Sequence, residues 1–321
     1  MKTTLRMVAV WAALLCVAAS FAQSKNPTEL LTSLIQFRTT RLTEMRNAGG
    51  TIDVNSLNAE VTAKALEAIQ GIDPTKVEAT QAYTWAQLFS MAGKHKETCD
   101  LAVRYLTTNP TPDQKYAAQM LMLSSCNTLG EGEMIAHTLP GVTAPNLAAS
   151  QVLFNAVVRT YSGTIVQDLG PDAALKAIDR ALAQVQFEAP EEYANRMFAS
   201  SKAQNPKNRD GSEMTDEQIT ASLTTRGRSV KDSLIYSAVD IKSDILVSAG
   251  RQADAVKLLQ EFVAKAEAGN VYANRAKTTL KQMALVGSPA TTLAFTHKYG
   301  EFPGLDKWKG KVVIIDFTAH W

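Results

Sequence analysis

The chain has 321 residues, which is long enough for two domains of ordinary size. Apolar residues make up 45% and charged residues 20%, a balance that excludes a disordered chain and a coiled coil. The formal charge of +2 equals the contribution of Lys2 and Arg6, so the rest of the chain is neutral. A neutral chain lacks the basic surface that general nucleic-acid binding needs. The low aromatic content, 7%, favours helices rich in Ala and Leu over sheets.

The first 22 residues have the layout of a secretory signal peptide. Lys2 and Arg6 precede an apolar run over residues 8–19, and small residues lead up to a cleavage position after Ala22. The apolar run is shorter than the ~20 residues that a membrane-spanning helix needs. We therefore expect a secreted, periplasmic protein with no stable membrane insertion once residues 1–22 are removed.

Residues 23–286 are predicted to form a helical domain, because apolar residues recur there with helical spacing and the alternation typical of strands is almost absent. Helix-start signals mark five helices. They begin at Asn26-Pro27, Asp73-Pro74, Thr111-Pro112, Gly170-Pro171 and a capping box at Thr215-Asp216-Glu217-Gln218. The first is predicted to end at Gly49-Gly50, the second at Met91, the third near Gly130 and the last at Gly250.

Two turns in this region resemble each other. Residues 92–98 and 249–255 both read Ala-Gly-basic-x-x-acidic-small, and a helical apolar stripe follows each. This pattern is similar to the turn between the two helices of a tetratricopeptide repeat (TPR), although no strict 34-residue period runs through the region. We expect a degenerate TPR-like helical array, or solenoid; an irregular helical bundle is the alternative. Its aromatic and Met residues either line a binding groove or fill the core between helices, and the core is favoured.

Two cysteines remain after signal removal, because Cys16 lies in the leader. Cys99 and Cys126 fall on what are predicted to be neighbouring helices. In an oxidising compartment they can form a structural disulfide, whereas two buried cysteines can also pack as small hydrophobic side chains. The sequence leaves both interpretations open.

The motifs of common enzyme classes are missing from the sequence. It contains no Gly-rich phosphate loop, no Gly-x-Ser-x-Gly and no His-Glu-x-x-His. The four histidines are scattered singly along the chain, at positions 95, 137, 297 and 320. We therefore predict no metal site and no cofactor.

The character of the chain changes at Gly287. Turn residues follow, and residues 312–317 form a short apolar run rich in β-branched side chains. Such a run is typical of a strand that is buried on both faces of an α/β sheet. Because the sequence reaches only Trp321, we expect residues 287–321 to be the first part of an incomplete α/β domain.

This segment resembles the opening of a redoxin. The residues that carry the resemblance are Gly287-x-Pro289-Ala290, Phe295, Leu305-x-x-Trp308-x-Gly310-Lys311 and Val312-Val313-Ile314-Ile315-Asp316-Phe317-x-Ala319-x-Trp321. The order is similar to that in the TlpA-like thiol–disulfide oxidoreductases of the thioredoxin superfamily. In that family a Cys-x-x-Cys pair follows the Trp at once, and this chain ends one residue before it.

The resemblance implies an exported thiol–disulfide oxidoreductase whose partners are protein thiols and disulfides. Asp316 corresponds to a buried carboxylate that accepts a proton from the resolving thiol, although it can also be an ordinary strand-end residue. Trp321 corresponds to the aromatic residue beside the cysteine pair. We expect no catalysis by that dithiol from these 321 residues alone. The alternative function is a non-enzymatic periplasmic TPR-like scaffold with a vestigial redoxin tail.

Overall fold

The computed structural model describes residues 26–49, 52–267, 269–286, 288, 300 and 304–314. These residues are mostly helical, as predicted for the body of the chain, and no β-strand occurs among them. An isolated antiparallel bridge joins Lys207 to Glu213 in an exposed loop. The predicted signal peptide, residues 1–22, lies outside the described residues.

The α-helices follow one another with short connections. They are α1 (Pro27–Asn47), α2 (Val54–Ile69), α3 (Ala82–Met91), α4 (His95–Leu106), α5 (Pro112–Leu129), α6 (Gly132–Thr138), α7 (Leu147–Ala156), α8 (Ser162–Leu169), α9 (Pro171–Gln184), α10 (Pro190–Lys202), α11 (Asp216–Ser248), α12 (Gln252–Lys265) and α13 (Val271–Leu285). Short 3-10 turns occupy Pro74–Lys76, Leu139–Gly141 and Leu305–Trp308, and a π-helical segment occupies Val157–Tyr161.

The chain divides into two compact units, and the division falls between Ile245 and Leu246, inside α11. In the first unit, consecutive helices from α1 to α6 pack against one another, and α1 also contacts α3 while α3 contacts α5. Contacts between alternate helices are what a stacked helical array produces. In the second unit, α12 packs against α13.

Among the described residues of the first unit, the buried apolar side chains form three groups. An N-terminal cluster is built by α1 to α5, and a central cluster by α4 to α9 together with part of α11. A small third cluster joins α10 to the start of α11 through Ala194, Ile219 and Leu223. The N-terminal and central clusters share α4 and α5: Leu101 of α4 belongs to the first cluster, whereas Ala102 belongs to the second.

Three of the predicted helix starts are confirmed by their caps. The Asn26 side chain accepts a hydrogen bond from the backbone of Thr28 at 3.0 Å. Capping boxes pair Thr111 with Gln114 and Thr215 with Gln218, and in the second the Thr215 amide donates to the Gln218 carboxamide oxygen at 2.8 Å. Because these signals act within one helical turn, the local sequence is sufficient to produce them.

The prediction of a helix that begins at Asp73-Pro74 is wrong for the residues before Ala82. Only a 3-10 turn forms at Pro74–Lys76, and α3 begins at Ala82. The reason is a long-range contact, because the Arg104 guanidinium donates to the carbonyls of Pro74, Thr75 and Val77 at 2.8–3.0 Å. The carbonyls that a continuous helix would use for its own hydrogen bonds are therefore occupied.

The two resembling turns have the same backbone geometry. Gly93 and Gly250 lie in the left-handed region, at φ +72° and +74°. In each turn the residue after the glycine donates to a carbonyl five positions earlier: Lys94 to Phe89 at 2.9 Å, and Arg251 to Leu246 at 2.8 Å. This is a Schellman-type helix ending, after which the next helix begins two residues beyond the glycine.

The C-terminal segment differs from its prediction where it can be described. Residues 312–314, the first half of the predicted strand, have no regular secondary structure, and Val312 and Ile314 are 93% and 89% exposed. A core strand needs a sheet and covering helices, and the described residues supply neither. Residues 315–317 of the predicted strand lie outside the described residues.

A glycine at the start of α6 supports one prediction about stability. A Cβ on Gly132 would collide with the Thr164 carbonyl of α8, whereas a Cβ on exposed Gly163 would meet no atom within 4 Å. We expect Gly132→Ala to lower the free energy of unfolding by ~1–3 kcal/mol, because the two backbones must move apart. Gly163→Ala is the matched control and should raise it by ~0.5–1 kcal/mol, because alanine favours a helix.

Urea denaturation followed by circular dichroism measures both changes. Equal effects of the two substitutions would contradict the close approach of α6 to α8.

Candidate functional site

The two cysteines of the helical body lie side by side on antiparallel helices that follow one another. Cys99 is in the second turn of α4, and Cys126 is near the end of α5. Their Sγ atoms are 3.4 Å apart, and both residues are free thiols. The structure therefore brings together the two residues that the sequence identified as a candidate pair, in the reduced state.

A backbone carbonyl determines how the two thiols are oriented. The Cys99 Sγ lies 3.7 Å from the Met122 carbonyl oxygen, which can only accept a hydrogen bond. Cys99 as a thiol therefore donates to Met122, which leaves Cys126 to donate to the Cys99 sulfur. When Cys99 loses its proton, the Cys126 thiol still donates to it and stabilises the thiolate.

The pKa values of the two thiols are shifted in opposite directions. The hydrogen bond from Cys126 lowers the pKa of Cys99, although partial burial and the charges of Glu131 and Asp100 oppose it. The hydrogen bond to Cys99, burial and the negative charges nearby raise the pKa of Cys126. Cys126 is completely buried, whereas Cys99 keeps part of its surface accessible. The thiolate of the pair is therefore on Cys99.

Two other residues complete the surroundings of Cys126. Glu131 is an exposed residue that follows Gly130 at the end of α5. Its negative charge raises the pKa of both thiols. Tyr161 is buried, and burial, with smaller contributions from Tyr116 and Cys126, raises the pKa of its hydroxyl to about 12. Tyr161 therefore stays neutral, and the negative charge near the two thiols comes from Glu131 and Asp100.

Tyr161 lies at the end of an irregular helical segment. Residues Val157–Tyr161 have π-helical hydrogen bonding between α7 and α8, and Val157, Val158 and Tyr161 are all buried. These three residues stand at positions i, i+1 and i+4, which share one face of a helix. Sequence reasoning associated neither Tyr161 nor Glu131 with the cysteines.

A signal for Glu131 was present in the sequence. Gly130, at φ +78°, ends α5 as Gly93 ends α3, and the amide of Glu131 donates to the Cys126 carbonyl at 2.9 Å. Residues 130–132 thus form a third copy of the turn, which starts α6 two residues after its glycine. Recognising that copy would have placed Glu131 directly beyond the last turn of α5, one helical turn from Cys126.

The other residues that the sequence suggested for a site are the two in the redoxin-like segment and the aromatic residues of the helical body. Asp316 and Trp321 lie outside the described residues. The aromatic residues considered for a binding groove are mostly core, as favoured: Trp85, Phe89, Tyr105, Phe154 and Tyr161 are buried. Tyr83 is partly exposed and stacks on Tyr105 with ring centroids 5.3 Å apart.

Neither a metal site nor a membrane span is found in the part of the chain that the structure describes. Its His, Cys, Asp and Glu side chains form no group of three or more that could hold a metal ion. None of its helices combines the length and the apolar character needed to cross a bilayer. The thiol pair is thus the candidate site with the most distinctive chemistry among these residues.

Comparison with protein-family models, with curated proteins and with solved structures finds no significant match to this chain.

The acidity of Cys99 gives a pH-dependent prediction. Because the thiolate is the reactive form, alkylation of Cys99 by iodoacetamide should reach half its maximal rate below the ordinary cysteine pKa of ~8.5. Cys126→Ala removes the hydrogen bond and should move this midpoint to higher pH. Glu131→Gln removes a negative charge and should move it to lower pH.

Mass spectrometry of the peptide that contains Cys99, after timed alkylation across a pH series, measures the midpoint. Shifts in the same direction for both variants would contradict this assignment of the thiolate.

Proposed function

We propose that the protein is an exported thiol–disulfide oxidoreductase in which a TPR-like helical array precedes a redoxin segment that begins at Gly287. The array recruits or orients protein substrates. The redoxin segment supplies the strand and the aromatic residue that stand before a catalytic dithiol. Protein thiols and disulfides are its substrates, and it needs no cofactor or metal.

The observation that carries the proposal is the ordered run of residues from Leu305 to Trp321. Single positions in this run are common in proteins, but their order is specific to the opening of a redoxin. The last described helix, α13, ends at Leu285, two residues before Gly287. The segment therefore begins just after the end of α13.

The stacked helices support a role in binding other proteins. Arrays of helix pairs bury their apolar faces against their neighbours and leave an extended surface for partners. In this chain the N-terminal and central clusters extend across many consecutive helices. A non-enzymatic scaffold that binds other proteins through this array is the second candidate.

The test asks whether residues 287–321 contribute to a working redox domain. We would replace Cys16, Cys99 and Cys126 by alanine and extend the chain past Trp321 with the remainder of a TlpA-like redoxin, starting at its Cys-x-x-Cys. The extended protein should accelerate the reduction of insulin by dithiothreitol. The same remainder joined directly after Val286 should be inactive, because it lacks the strand that residues 312–317 would supply.

A point substitution then tests the expected proton acceptor. Asp316→Asn in the extended protein should slow insulin reduction by ~10²-fold, the usual contribution of a positioned acid or base. Asp113→Asn, at an exposed position in α5, is the matched control and should leave the rate unchanged. Equal activity with and without residues 287–321 would contradict the redoxin assignment and would leave the scaffold as the better account.

A further inference from the structure

The reduced cysteine pair is already arranged for disulfide formation. The Sγ atoms are 3.4 Å apart, and a disulfide needs ~2.05 Å, so they must approach by ~1.4 Å. Small rotations of two side chains cover such a distance without separation of the helices. Holding two reacting groups in contact also removes most of the entropy cost of joining them.

The helices around the pair are tightly packed in the reduced protein. Ala102 of α4, together with Ala118 and Leu123 of α5, is completely buried at this interface. The interior therefore accommodates both cysteines as free thiols, and the close helix contact does not depend on a covalent bond. A pair that fits the same fold as a dithiol and, after a small rotation, as a disulfide can change state reversibly.

The two sulfurs are not equally accessible. Cys99 is partly exposed, whereas Cys126 is completely buried behind it. An incoming disulfide can reach only Cys99, and Cys126 can reach only Cys99. This asymmetry is the arrangement of an attacking thiol and a resolving thiol in thiol–disulfide exchange.

We propose that Cys99 and Cys126 form a redox-active dithiol that exchanges with disulfides of peptides or proteins, with Cys99 as the nucleophile and Cys126 as the resolving thiol. This site lies in the helical body and is distinct from the redoxin segment. It does not depend on the proposed function, since all its residues belong to α4, α5 and the turn that follows them.

The exchange proceeds in two steps. The Cys99 thiolate attacks one sulfur of the substrate disulfide, forms a mixed disulfide, and releases the other substrate sulfur as a thiolate that takes a proton from water. The Cys126 thiol then loses its proton and attacks the Cys99 sulfur. The internal disulfide forms, and the second substrate thiolate leaves and is protonated. The dithiol is oxidised by two electrons, and the substrate disulfide is reduced to two thiols.

The second step requires that the Cys126 thiol give up its proton, which leaves to solvent. The buried Tyr161 cannot accept it, because burial raises the pKa of the Tyr161 hydroxyl to about 12 and the hydroxyl remains protonated. The negative charge of Glu131 raises the pKa of Cys126, so Cys126 stays a thiol until the mixed disulfide has formed on Cys99.

The test uses the full chain with Cys16→Ser, so that Cys99 and Cys126 are its only thiols. Incubation with oxidised glutathione should produce an internal disulfide, and a series of mixtures of reduced and oxidised glutathione should convert it reversibly.

In Cys126→Ser, glutathione should remain attached to Cys99. In Cys99→Ser, Cys126 should react with oxidised glutathione at least ~10-fold more slowly than Cys99 reacts in Cys126→Ser. This difference between the two variants should vanish in denaturant. Cys126→Ala replaces Cys126→Ser if the hydroxyl disturbs the core.

Three results would overturn the proposal. The first is that no internal disulfide forms, and the second is that both cysteines of the native protein react with glutathione equally fast. The third is a disulfide that stays oxidised in a large excess of reduced glutathione, which is the behaviour of a structural disulfide. None of these results bears on the insulin assay of the extended protein, whose cysteines at 16, 99 and 126 are replaced.

Discussion

The close packing of α4 against α5 is the contact on which the rest of the first unit depends. These two helices supply side chains to both the N-terminal and the central cluster, so they form a layer that the two clusters share. Small residues at the interface, Ala102, Ala118 and Cys126, are completely buried, which allows the helix backbones to approach closely. The same closeness brings the two sulfurs into contact. The stability of the fold and the chemistry of the thiol pair therefore have one physical origin.

The turns at each end of this helix pair keep the interface in register. Gly93 ends α3 and sets the start of α4, while Gly130 ends α5 and places Glu131 beside Cys126. A glycine is needed at both positions because the backbone is left-handed there. In the second turn, Asp168 of α8 accepts the Gly132 amide at 2.6 Å and ties α6 to the central cluster. Local turn chemistry thus determines which residues surround the dithiol.

The sequence predicted features that depend on neighbouring residues and missed those that depend on distant ones. The caps at Asn26, Thr111 and Thr215 were correct because each acts within one turn of its own helix. The helix expected from Pro74 failed because Arg104, thirty positions away, binds the carbonyls of that segment.

At the candidate site, too, the sequence did not predict the features that depend on distant residues. The sequence placed Cys99 and Cys126 on neighbouring helices, but a helix can turn a cysteine toward or away from its neighbour. The 3.4 Å contact depends on the rotation of both helices, which packing across two clusters determines. The π-helical segment at Val157–Tyr161, which ends at the buried Tyr161, has no signature that the sequence pattern revealed. Asp316 and Trp321 rest on the resemblance to redoxins alone.

The most direct measurement of the central claim is the distance between the two sulfurs in a crystal structure of the reduced protein. The account predicts that the Cys99 and Cys126 Sγ atoms lie in van der Waals contact, near 3.4 Å, with Cys99 also close to the Met122 carbonyl. Sulfur atoms separated by a layer of other side chains, with either cysteine turned to a different helix face, would contradict both the packing of α4 on α5 and the redox-active dithiol.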